Sequence, residues 1–86
     1  MAEEARLSAV PLRTGCVVKF VEGNVEERIR FFDLGFSPSS VIVPLYKALC
    51  GGTTAFLVKG TLIALRKEEA DRIFIKEILR EAENER

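Results

Sequence analysis

The chain has no histidine and no tryptophan, and only two cysteines and one tyrosine. Without histidine neither a Ser–His nor a Cys–His nucleophilic pair can form. A structural zinc site takes four Cys/His ligands, so the two cysteines cannot complete one within a single chain. Cys16 and Cys50 make no CxxC pair and read as small buried thiols. They are the weak candidates for any metal contact, and no cofactor is expected. No apolar run approaches the ~20 residues that cross a bilayer. Residues 1–15 lack the basic start and apolar stretch of a secretion signal. The expectation is a cytoplasmic chain with no direct membrane insertion. An excess of charge is missing too, since 13 cationic side chains balance 13 acidic ones. A nucleic-acid binder draws its affinity from a basic surplus, so no nucleic-acid partner is expected.

What remains is a small chain whose apolar residues, 48% of the total, can fill one core. Charge is unevenly placed. Residues 28–67 hold Arg28, Arg30, Lys47, Lys59, Arg66 and Lys67 against Asp33 alone. Residues 1–6 read as a flexible start, and Leu7, Val10 and Leu12 around Pro11 as an edge segment. Cys16, Val18 and Phe20 alternate on one face of a strand. Asn24 with Glu27 three residues on is a capping box. Val25, Ile29 and Phe32 then share one face of a helix over about 25–34. Gly35 and Pro38 stop it.

The run Val41-Ile42-Val43-Pro44-Leu45-Tyr46 is a strand whose proline demands an edge or a bulge. Gly51-Gly52 turns the chain into a strand from Thr54 to Lys59. It has no following lysine, so it is not a phosphate loop. A further strand comes after Gly60-Thr61, then a helical turn near 67–71, a short strand at 73–75 and a charged tail at 76–86, helical or frayed. The adjacent acids Glu26-Glu27 and Glu68-Glu69 diverge around their helices and converge on no substrate. The class is mainly β, with short strands closing into a small barrel. No feature points to an enzyme.

The junction Phe32-Asp33-Leu34-Gly35-Phe36-Ser37-Pro38, the Gly51-Gly52 hairpin and the closing run from Gly60 to Ile75 resemble, in order and spacing, the FeoA family of ferrous iron transport proteins. The likeness spans residues 7–75. It implies an SH3-like β-barrel with one packed helix, and docking onto a FeoB-type membrane transporter or its GTPase domain. The same module resembles the SH3-like domain of iron-dependent repressors. A regulatory domain of that type and a small RNA-binding barrel are the alternatives. Against the family pattern, Ser39 replaces a glycine, so that turn is expected not to rely on positive φ. Leu49-Cys50 stands where a Pro-Leu pair is common.

Candidate partner contacts are Arg30, Leu34, Phe36, Tyr46, Lys47 and Leu49, at the helix end, the junction and the hairpin tip. Leu34 and Phe36 serve the core equally well. Where the family carries polar outward residues, this chain has Val41, Val43, Leu57 and Leu62. Strands apolar on both faces are normally covered on both. This outer face is therefore expected to be buried by another copy, by the tail or by a partner.

Overall fold

The computed structural model describes residues 5–48 and 52–79. Element order is β1 (Ala5–Arg6), a 3₁₀ turn (Leu7–Ala9), β2 (Cys16–Val21), α1 (Val25–Leu34), β3 (Val41–Lys47), β4 (Thr53–Val58), β5 (Thr61–Arg66), α2 (Lys67–Ala70) and β6 (Ile73–Ile78). The six strands form one antiparallel sheet in the order β1-β6-β2-β3-β4-β5. It curls around its apolar face as an SH3-like barrel that stays open, because β5 and β1 do not pair.

Inside the curl lies one core: Leu7, Val18, Phe31, Phe36, Ile42, Phe56, Val58 and Ile73 are all at most 1% exposed. Phe36 is its hub, edge-on to Phe31 (6.2 Å) and to Phe56 (6.3 Å), the geometry that aromatic quadrupoles favour. α1 starts at the expected box. Asn24 Oδ1 accepts from Glu27 N–H (2.8 Å), and Glu27 Oε1 accepts from Asn24 N–H (2.9 Å). It stops at Gly35, whose φ of 108° is open to glycine and costly for other residues. A Cβ there would lie 2.6 Å from Val58 Cγ1, so the same glycine lets the helix end sit on the sheet.

Five local expectations need correction. Ala5–Arg6 is a strand on β6, because the free edge of β6 offers ladder partners. Leu7 reaches the core from a 3₁₀ turn, and Val10 from the residue that caps it, rather than from an edge segment. The last strand runs on to Ile78, so residues 76–78 belong to the sheet; the rest of the tail, from 80, lies outside the described residues. Phe20 leaves the face of Cys16 and Val18. A register shift between Val18 and Phe20 breaks the alternation, Val21 turns inward, and Phe20 stacks on Phe74 (4.6 Å). Finally, Ser39 does take a positive φ, 75°.

Pro44 sits at a bulge, as its missing N–H requires. β3 pairs with β4 as Pro44↔Phe56 and then Tyr46↔Ala55, with Leu45 as the extra residue. A bulge re-aims the side chains beyond it. Tyr46 thereby joins the outward face and Lys47 the inward one.

Candidate functional site

Three ion pairs form a small structural network. Arg72 pairs with Glu27 (2.8 Å), Arg30 with Glu69 (3.0 Å) and Lys67 with Asp71 (3.1 Å). Asp71 also accepts from the Ser8 hydroxyl. The Asn24 N–H, then Arg72, hold the Glu27 carboxyl below its ordinary value; Ser8, then Lys67, do so for Asp71. These bonds tie α1 to the start of β6 and α2 to the N-terminal turn. Glu27, Glu69 and Asp71 are each committed to a cationic partner.

Cys16 is fully buried and its thiol contacts Ile42 O at 3.3 Å. Burial pushes that thiol up to about 12, which keeps it from serving as a thiolate ligand or nucleophile. Cys50 lies outside the described residues. Among the described residues no group of three or more metal-ligating side chains converges, and no helix is long and apolar enough to cross a membrane. A cavity of ≈ 220 Å³ opens between the N-terminal turn, β3 and α2, over Leu7, Pro44, Phe56 and Leu65, with Lys47 on its wall. It falls below the ~300–1,000 Å³ of small-molecule sites, and its floor is the core itself.

The proposed contact residues separate. Phe36 is 0% exposed and is withdrawn as a contact: the helix stop needs an apolar plug beneath it, and Phe36 is that plug. Leu34 packs against the core. Arg30 is exposed but held by Glu69 and stacked over the Phe31 ring (5.8 Å). Tyr46 and Lys47 are exposed, on opposite faces of β3. Leu49 lies outside the described residues.

Two apolar surfaces face outward instead. The first is a helix stripe. Val25 (62% exposed), Ile29 (51%) and Phe32 point away from the core, while Phe31 and Leu34 anchor the other side. The 3.6-residue period finds the stripe but not its direction. The missed signal was the anchor: Phe31 and Leu34 share a face three residues apart, and Phe36 comes just after them.

The second surface is the outer face of β3, β4 and β5. The register aligns Val43↔Leu57↔Leu62 as one row and Tyr46↔Ala55↔Ala64 as the next. Val41 lies opposite Val17. Val41 and Leu62 are each about half exposed, Val43 and Leu57 partly covered. Leu79 lies beside Val43 over Gly15.

The described surface carries two apolar patches beside three ion pairs, and comparison with known proteins gives the chain a lineage. A family model described as the FeoA domain matches residues 5–77. The chain belongs to the FeoA family. An iron uptake regulatory protein (FeoA) of known structure superposes with a TM-score of 0.77 at 22% identity, covering 90% of this chain and 100% of that one. A FeoA-like protein from Clostridium acetobutylicum gives 0.76 at 25% identity, with 90% of each chain covered. The FeoA of Stenotrophomonas maltophilia, solved with zinc and proposed as an SH3 domain protein that activates ferrous iron transport, gives 0.74 at 29% identity over 92% of this chain and 98% of that one. A manganese-dependent transcriptional repressor gives 0.76, but at 16% identity and over 38% of its own length, so it shares the fold alone. Among curated proteins no sequence matches.

Proposed function

We propose that this FeoA-family chain is a non-enzymatic accessory of ferrous iron uptake that works by docking onto the cytosolic part of a FeoB-type membrane transporter. The observation that supports docking is the outer face of β3–β5. A three-stranded apolar surface is exposed on a domain whose core is already complete. The Stenotrophomonas relative, proposed as an activator of ferrous iron transport, supports the process served. A module of this kind acts by binding one transporter conformation better than another, since only differential affinity shifts an equilibrium.

The test is direct. The purified chain is titrated against the cytosolic region of the ferrous iron transporter from the same cell, and ferrous iron uptake is measured with and without the chain. Saturable binding, with uptake that falls on deletion and returns with the wild-type chain, is expected. No binding together with unchanged uptake would overturn the reading. The repressor alternative rests on fold alone. The RNA alternative lacks the basic surplus that phosphate binding requires.

A further inference from the structure

Among the described residues β5 ends the sheet and pairs on one side only. Its outer edge is not short and has no proline, bulge or inward charge, features that keep many edge strands from pairing. It is six residues long, runs in unbroken register against β4 from Thr61 to Arg66, and carries no charge before Arg66. The hairpin before it decides which backbone groups are free. Lys59 and Gly60 both take positive φ, 51° and 82°, as a two-residue type I′ turn requires. The pair that closes such a turn, Val58 and Thr61, exchanges both ladder bonds, and bonded and non-bonded pairs alternate beyond it. Thr61, Ile63 and Leu65 therefore bond to β4. Leu62 and Ala64 aim their N–H and C=O groups outward, while Arg66 gives its N–H to Glu69 Oε1 (2.8 Å).

We propose that this open edge is a strand-addition site for an extended segment of a partner protein, apolar at alternate positions and acidic at its ends. The partner's identity rests on the proposed docking to the transporter; its chemistry comes from the edge. An added strand takes the four free backbone groups of Leu62 and Ala64. It also sets a side chain beside Leu62, extending the row Val43–Leu57–Leu62 by one strand. Exposed cations, Lys59 and Arg66, bracket the strand. They decide against a second copy of this chain. Antiparallel self-pairing brings Lys59 of one copy toward Arg66 of the other, and parallel pairing sets each cation against itself. Like charges across a strand pair are destabilising, and opposite ones favourable. A segment with acidic ends turns both contacts attractive.

The experiment reads amide hydrogen exchange by NMR on the full chain. The probe is a short peptide of alternating valine and threonine with a glutamate at each end; its twin carries lysines there. The glutamate peptide should slow exchange at Leu62 and Ala64 about tenfold, and the lysine peptide should bind about tenfold more weakly. Ala64→Pro removes an edge donor without touching the β4 ladder and should abolish the protection. The double change Lys59→Glu, Arg66→Glu should reverse the preference between the peptides, and it leaves the backbone intact. Equal binding of both peptides, or no protection at Leu62 and Ala64, overturns the proposal. So does protection that grows with the chain's own concentration in the absence of peptide. If the transporter region binds but protects only α1, the edge assignment falls and the docking reading stands. If it fails to bind while the glutamate peptide protects the edge, the docking reading falls and the edge assignment stands.

Discussion

Single backbone positions carry opposite lessons on either side of the helix-to-strand junction. Gly35 and Ser39 both take positive φ, 108° and 75°. At Gly35 the conformation and the 2.6 Å approach to Val58 both demand the absence of a side chain. Gly35→Ala should therefore cost about 2–4 kcal/mol, from backbone strain plus overpacking. At Ser39 the conformation is strained and the side chain is exposed. The left-handed region costs a non-glycine residue roughly 1–2 kcal/mol, and glycine returns part of that gain as unfolded-state entropy. Ser39→Gly should stabilise by about 0.5–1 kcal/mol. Urea denaturation of the two variants checks both signs; a destabilised Ser39→Gly would show that the serine side chain supports the turn. Gly35 was legible because a helix stop has its own residue chemistry. The positive φ of Ser39 was not, because serine seldom occupies that region. In the fold the Ser39 N–H bonds to Val18 O of β2 (2.8 Å), a long-range contact that local sequence does not reveal.

At the scale of elements, α1 was readable in extent and misread in orientation. Its cap, length and stop come from local chemistry. Which face turns inward depends on which apolar side chain the curled sheet can accept, and a periodicity cannot say. Phe31 fills the space beside Phe36; Val25, Ile29 and Phe32 then point to solvent. Ile29→Lys should accordingly leave stability within about 0.5 kcal/mol of the parent, whereas Phe31→Ala should lose about 3–5 kcal/mol. Thermal melts compare the two, and a large loss for Ile29→Lys would mean that the stripe is covered in solution. α1 and α2 are also tied down by ionised acids, Glu27 and Asp71. Glu27 and Asp71 titrate below their ordinary values in the folded chain. Their contribution is complete above the usual carboxylate range near pH 4, and it is lost as pH falls through the depressed folded values. Urea midpoints should hold between pH 7 and 5 and drop below about pH 4. In Glu27→Gln the drop should be shallower, because one of the two linked protons is gone. An unchanged profile in that variant would remove Glu27 from the linkage.

For the whole molecule, the barrel class could be read from strand length and turn spacing, and the outer apolar rows from alternation once the family resemblance set which face turns inward. What covers those rows could not be read, because alternation says which way a side chain points and nothing about what it meets. The bulge at Leu45 was half visible, since Pro44 required an irregularity but not its consequence for Tyr46. The outer face also sets a colloidal property. A chain with 13 charges of each sign and a pI near 6.3 has little long-range repulsion to keep its apolar faces apart. Light scattering at high concentration should therefore peak near pH 6.3. The double variant Val41→Glu, Leu62→Glu should suppress that peak both by adding charge and by breaking the apolar rows. A matched pair, Ala9→Glu with Ala48→Glu, adds the same charge at exposed positions away from the rows. If the peak reflects contact through the outer face, the first variant lowers scattering well beyond the second, even when each is measured at its own pI. If both respond alike, net charge alone governs association and the outer face plays no part in it.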